Sequence, residues 1–508
     1  MRSMARWLTT CAVVVAFASS APGLPLIRAQ AAPPWLPLEV VTEAASTKGA
    51  DAKRALDQLA GQWRLGYAPI LLDLAERSRA PVFVPSRELP MPSIVGGSTG
   101  PVDIPGSFQG LGNAANVQDG PRPVTRVRER LLEFLERTTG QRFGLDLNKW
   151  HEWLWAQSYD PHPEFMTFKR RLYADVDTRL ADFFPPGNQT SIRLDEIEWG
   201  GVMVNGNPSL VYPKTIPAAE ARYLRDNHIV FGIEINGRAR AYPRRILAWH
   251  ELARDRIGGD ELTVVYCTLC GTAILYDSVA GGRLHVFGTS GLLYRSNQLL
   301  FDEETKSLWS TLDGRPVVGP LVGSGAVLTS RAAVTTTWGE WRRRHPQTDV
   351  LSPDTGHDLD YSEKVGYRGY FAADLLKSSL PATDTRLGKK AEVLVMQLPL
   401  DGGRSQPVAI AAKFLAWRPL HQTRIADRDF VIVTSRAGAN RAYDASGLKF
   451  VRLLADDRLL DEQNVTWQVT EDALVATAEG LSPRPRIVAQ RAFWFGWHAH
   501  FPDTILIK

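Results

Sequence analysis

Ile229-Val-Phe-Gly-Ile-Glu-Ile235-Asn236-Gly237-Arg238-Ala-Arg-Ala-Tyr242 decides how the larger part of this chain folds. Two short runs flank Asn-Gly, the pair that most readily supplies positive φ at both centres of a two-residue hairpin turn. The segment predicts a hairpin, Ile229 to Ile235 against Arg238 to Tyr242. Working outward, further strands are expected at Leu262 to Tyr266, Thr272 to Tyr276, Arg283 to Phe287, Val393 to Leu398, Val408 to Phe414 and Phe430 to Thr434. A β-rich domain over 190–508, with a few helices, accounts for them. Sandwich and barrel give the same pattern.

Upstream the period changes from 2 to 3.6. Leu56, Leu59, Trp63, Tyr67, Ile70, Leu71 and Leu74 recur near helical spacing, as do Val127, Leu131, Leu132, Phe134 and Leu135. These are core faces, so 45–184 reads as helical. Within it, 81–123 is dense in Pro, Gly, Ser and Asn and reads as a long connecting loop. Pro185-Pro186-Gly187-Asn188 closes the helical part. The fold class is therefore α+β, a helical region followed by a β-rich domain. Thr139-Gly-Gln-Arg-Phe-Gly-Leu-Asp146, with Trp150 and Trp153, resembles HEAT-like helical repeats. That resemblance implies a surface for a protein partner, with plain packing as the other reading.

At the N-terminus, Arg2 and Arg6 precede an apolar stretch from Trp7 to about Pro22, and Ala29-Gln30-Ala31 offers a cleavage site. Residues 1–31 are expected to be a signal peptide that carries Cys11 away with it. The mature chain is then expected to be periplasmic or secreted, with no transmembrane helix. Removing Arg2, Arg6 and Arg28 from the formal net charge of +4 leaves +1. Such a balance gives a nucleic-acid partner no electrostatic support. No phosphate-cradling Gly-rich loop appears in a strand-to-helix setting, so neither nucleotide nor flavin is indicated.

The chemistry concentrates in Cys267-Thr-Leu-Cys270-Gly271, which holds the only two cysteines beyond the leader. Around it, Val230 to Pro243, Ile246-Leu-Ala-Trp-His-Glu251, Val264 to Ala273, Phe287-Gly-Thr-Ser-Gly-Leu-Leu-Tyr294 and Ser307-Leu-Trp309 resemble the family catalogued as domain of unknown function 3179. The resemblance runs from about Thr190 to the C-terminus. It implies a domain and not a reaction. Family members often carry Pro after the first cysteine, where this chain has Thr268.

Thr272-Ala-Ile-Leu-Tyr276 reads as a strand, so the pair lacks the helix N-terminus that lowers the thiol pKa in dithiol oxidoreductases. Strand, tight turn and strand is the shape of a metal knuckle, with Gly271 accepting unusual backbone angles. Copper or zinc bound by Cys267 and Cys270 is the leading expectation, with oxidoreductase activity attached to it. Two sulfurs fall short of a four-ligand zinc site, and His250 is the candidate third ligand. A structural disulfide in a non-catalytic binding module is the alternative; a redox-active dithiol and inert thiols are also open.

Candidate pocket residues are Glu251, His285, Ser290, Tyr294 and Asn297. Glu251 could orient an imidazole or act as an acid or base. His285 is placed in a strand that could pair with Thr272 to Tyr276. Ser290 lacks the Gly-x-Ser-x-Gly spacing of a nucleophile elbow. His498 and His500, read as His-x-His on a strand, would project to one face.

Overall fold

The computed structural model describes residues 34–77 and 123–508, apart from 364–366, 368, 369, 372, 375 and 456. The leader and, but for Pro123, the Pro/Gly-rich stretch at 81–123 lie outside the described residues. Leu36–Lys508 makes one compact unit.

The helical region contains Leu38–Glu43, Gly49–Gly61, Ala68–Arg77, Pro123–Thr139, Leu147–Trp155 and Phe165–Ala174. Leu56, Leu59, Ile70, Leu71, Leu131 and Leu135 are buried, as their spacing requires, because a 3.6-residue period puts them on one stripe of each helix. Asp146 caps Leu147–Trp155 by accepting from Lys149 N at 3.2 Å. Lys169, fully buried, donates to Asp73 Oδ2 and to Ile197 O, both at 2.9 Å, and so ties the helices to the first strand.

The β-rich part is built from several sheets. In one, Ile229–Ile235 pairs antiparallel with Arg238–Pro243 through the Asn-Gly turn, where Asn236 and Gly237 have φ of 50° and 73°. Val334–Thr337 flanks that hairpin on one side and Asp349–Leu351 on the other. A second sheet carries the cysteines: Leu252–Ile257, Asp260–Cys267 and Thr272–Asp277 run consecutively antiparallel. Phe287–Tyr294, Asn297–Asp302 and Leu308–Ser310 belong to a third. Near the C-terminus, eight strands from Leu420–Ile425 to Phe450–Leu454 form a nearly closed, barrel-like sheet. Gln422 joins its two ends, its Oε1 accepting from Phe450 N at 2.9 Å and its Nε2 donating to Leu448 O at 2.6 Å.

Two expected strands are cut short. Val408 to Phe414 is strand only through Ala411, after which Ala412–Trp417 is helical. Arg283 to Phe287 is broken: Arg283–Leu284 pairs with Val279–Ala280, and Phe287 starts a different strand. His285 sits at the break, its side chain turned inward onto Asp302.

Gly232 marks where the hairpin meets the helix Trp338–Arg344. A Cβ there would stand 2.3 Å from the Trp341 ring, which is fully buried. Gly232→Ala is expected to lower the unfolding free energy by about 1–3 kcal/mol, the usual range for overpacking, as read by urea denaturation.

Candidate functional site

Cys267 ends the strand Asp260–Cys267 and pairs in register with Thr272, so Thr268 to Gly271 form the connecting turn. Gly271 has φ of 65°, an angle that favours glycine, and a Cβ on it would meet the Phe493 ring closely, at 3.0 Å. Cys267 and Cys270 stand at disulfide distance with Cα atoms 5.5 Å apart, inside the range such a bond spans. The two sulfurs differ in surroundings. Cys270 packs against the helix Trp494–His500, where a Cβ on Gly496 would lie 2.9 Å from its own. Cys267 lines a cavity of about 30 Å³, room for about one or two waters.

Glu251 shares that cavity. It caps the C-terminus of the helix Arg244–His250 in the left-handed conformation, with φ of 59°, a position usually given to Gly or Asn. Its N–H donates to Leu247 O at 2.7 Å, and its carbonyl accepts from Tyr266 N at 2.8 Å. The cap is thereby docked one residue before Cys267, and the carboxyl turns inward. Tyr367 Oη donates to one carboxylate oxygen at 3.0 Å and Gln298 Nε2 to the other at 3.2 Å. Burial raises the Glu251 pKa above the usual carboxyl value, against the pull of hydrogen bonds from Asn207 and Tyr367. Gln298 Oε1 is buried with no hydrogen-bond partner among the described residues, which leaves one open acceptor in the cavity.

The family described as protein of unknown function (DUF3179) matches the chain over residues 204–504, a span that holds every group just described. The chain belongs to that family. No curated protein and no solved structure matches it.

Within this DUF3179 domain, the imidazoles expected around the cysteines are engaged elsewhere. His250 is fully buried, with Nδ1 2.7 Å from Pro208 O and Nε2 2.6 Å from Tyr361 Oη, so both ring nitrogens are taken. Adjacent residues diverge at a helix end, which is why Glu251 reaches the cysteine cavity and His250 does not. His285 Nδ1 lies 2.6 Å from Asp302 Oδ2. His498 and His500 fall on a helix rather than a strand, and residues two apart there point in different directions. His498 pairs with Asp384 at 3.3 Å and His500 with Asp313 at 2.6 Å. Among the described residues, no third His, Asp or Glu joins both sulfurs in a metal-sized cluster.

The expected wall from Ser290 to Asn297 is only partly right. Thr289, Gly291, Leu292, Leu293 and Gln298 face the cavity, whereas Ser290, Tyr294 and Asn297 do not line it. Ser290 Oγ donates to Leu299 O and accepts from Leu292 N, holding an irregular strand pairing. Asn297 Nδ2 donates to Arg295 O and Gly496 O, both at 2.9 Å. Sequence reading missed Gln298, Asn207 and Tyr367. Gln298 follows Asn297 in the same block, on the opposite face of the strand; Tyr367 carries no local signal at all.

No helix among the described residues is long and apolar enough to cross a membrane.

Proposed function

We propose that Cys267 and Cys270 form a redox-active disulfide that exchanges two electrons and two protons with a dithiol partner, with Glu251 carrying a proton. The observation that carries this reading is the cavity shared by Cys267 and a carboxyl whose pKa burial has raised. A staple role is a weaker account, because a loop of about four residues is worth only about 2 kcal/mol in chain entropy, against about 4.7 for one of 100.

The chemistry balances without a metal. A thiolate of the donor attacks Cys267 Sγ, the S–S bond breaks, and Cys270 leaves as thiolate to take the proton that the donor thiol released. The donor's second thiolate then attacks its own sulfur in the mixed disulfide. Cys267 departs as thiolate and Glu251 protonates it, recovering a proton from that second thiol. The donor ends as a disulfide and the protein as two thiols. In an exported compartment, where the expected leader would place it, this is the direction that oxidises substrate dithiols, and the reverse would reduce substrate disulfides.

A second reading, a non-catalytic binding module with a structural disulfide, is favoured by the burial of both cysteines, with Cys267 3% and Cys270 1% exposed. Copper or zinc held by the reduced pair is a lesser reading, since two thiolates make half a tetrahedral set.

Equilibration in dithiol buffers of graded potential, with thiol trapping, separates the first two. The redox reading expects reversible two-electron reduction of the folded protein above about −300 mV, and Cys270→Ser leaves a Cys267 thiol that forms a mixed disulfide. A pair that resists reduction until the chain unfolds sinks the redox reading and leaves the staple. Metal analysis of the reduced protein against Cys267→Ser tests the third.

A further inference from the structure

The DUF3179 domain is built twice along the chain, over 228–351 and again over 391–507. The first half runs through Ile229–Ile235, Arg238–Pro243, the helix Arg244–His250, Val334–Thr337, the helix Trp338–Arg344 and Asp349–Leu351. In the second, Glu392–Pro399, Ser405–Ala411, the helix Ala412–Trp417, Gln490–Phe493, the helix Trp494–His500 and Ile505–Ile507 follow in the same order. These four strands have one spatial order in both sheets, and in both the last of them is the parallel one. Backbone bonds repeat at matching positions. Trp338 N donates to His228 O as Trp494 N does to Ala391 O, and Tyr266 N donates to Glu251 O as Thr434 N does to Pro419 O. On that register Ile246-Leu-Ala-Trp249 corresponds to Phe414-Leu-Ala-Trp417, and Leu247 and Leu415 are both fully buried.

The two equivalent helices differ in what lies on their outer face. In the first half the segment 352–363, continuing from the strand Asp349–Leu351, crosses the helix Arg244–His250. Trp249 Nε1 donates to Asp360 O at 2.9 Å, Arg245 Nη2 to Glu363 Oε2 at 3.0 Å, and Tyr361 Oη lies 2.6 Å from His250 Nε2. Trp249 is half-buried under this cover and Tyr361 is buried. In the second half Trp417 is 80% exposed, more than any other large hydrophobic side chain among the described residues. Beside it Lys413 stands at the position of Arg245 and Arg418 at that of His250, both exposed. The Arg418 guanidinium lies 5.6 Å from the Phe414 ring and 5.9 Å from that of Trp417, so cation and rings form one surface.

We infer that the outer face of the helix Ala412–Trp417 is a docking site for an extended acidic segment of a partner protein. The first half shows which chemistry this face takes. Its covering segment carries Asp354, Asp358, Asp360 and Glu363 with no Lys or Arg, and it lies on a helix whose exposed side presents Arg244 and Arg245. The second half keeps the cations as Lys413 and Arg418, which pair with carboxylates, and keeps the indole, which gives its N–H to a backbone carbonyl and its rings to apolar contact. Trp and Arg side by side are also the residue types that anchor protein interfaces. The site is separate from the disulfide and does not depend on its reading.

The test uses the full chain and, as probe, the fluorescently labelled peptide Ser352-Pro-Asp-Thr-Gly-His-Asp-Leu-Asp-Tyr-Ser-Glu363 in polarisation titrations. Saturable binding is expected, weakening as salt is added. Trp417→Ala and Lys413→Glu, both at exposed positions, are each expected to weaken it by about tenfold or more while keeping the wild-type circular dichroism. The same peptide with its acids replaced by the corresponding amides is expected to lose binding to a similar degree. Absence of saturable binding up to about 1 mM peptide overturns the inference, as does binding that Trp417→Ala and Lys413→Glu leave intact. Equal binding of the acidic and amide peptides overturns the acidic class of partner.

Discussion

Glu471→Gln lowers the unfolding free energy by about 3–5 kcal/mol, the range for removing one partner from a buried ionic network. Glu471 is 5% exposed and sits among three guanidinium groups. Arg441 Nη2 donates to it at 2.7 Å and Arg344 Nε at 3.1 Å; Arg486 Nη1 donates to its other oxygen at 2.5 Å. Arg441, 2% exposed, also reaches Glu340 at 3.2 Å. The network joins the helix Trp338–Arg344 to the strands Asn440–Asp444 and Arg484–Ile487 of the barrel-like sheet. Removing the central charge leaves three cations facing each other in low dielectric.

The sign with pH follows from the same contacts. Burial alone would raise the Glu471 pKa, but the arginines and His345 hold it well below the ordinary carboxyl value of 4.5. Its contribution is therefore complete above about pH 4.5 and lost as pH falls through the depressed native value. Guanidinium denaturation from pH 3 to 7 should show a large gap between wild type and Glu471→Gln at pH 7 that narrows in acid. A gap independent of pH would remove the electrostatic account.

Glu251→Gln slows dithiol reduction of the Cys267–Cys270 pair by about 100-fold, the lower end of what a positioned general acid contributes. Rates must be expressed per donor thiolate, because thiolate itself increases with pH. On that scale the wild-type rate falls as pH rises through the raised Glu251 pKa, and the variant is slow and flat. Stability gives a second readout. Between 4.5 and the raised value the folded protein binds one proton more than the unfolded chain, so wild-type stability declines as pH rises there. Glutamine does not titrate, so Glu251→Gln gains on the wild type across the same window. A variant that reduces at the wild-type rate would leave Glu251 as a cap alone.

The hairpin at Ile229–Pro243 was legible, because Asn-Gly sets the turn locally. Helix faces such as Leu131 to Leu135 were legible for the same reason: their period is a property of the chain itself. Reading failed where a side chain answers to a distant partner. His285 interrupts an apparent strand because Asp302 holds it, and the helix Trp494–His500 forms where Cys270 and Gly496 pack together. Of the cysteine site, Cys267, Cys270 and Glu251 could be named in advance. The bonding of the His250 ring to Pro208 and Tyr361 could not, since they lie 42 and 111 residues from it.

By itself the sequence determined an α-to-β order along the chain, the strand-turn-strand setting of the two cysteines and the absence of a helix behind them. These follow from local backbone preference and from periodicity, which need no knowledge of what packs on what. Only the tertiary structure decided which groups surround the sulfurs. The left-handed cap at Glu251 places it in the lining of the cavity that Cys267 shares, while His250, one residue earlier, bonds to Pro208 and Tyr361. Placement in a buried cavity is set by contacts between segments far apart in the chain, and one residue of rotation there turned an expected metal ligand into a packed histidine and its neighbour into a candidate acid.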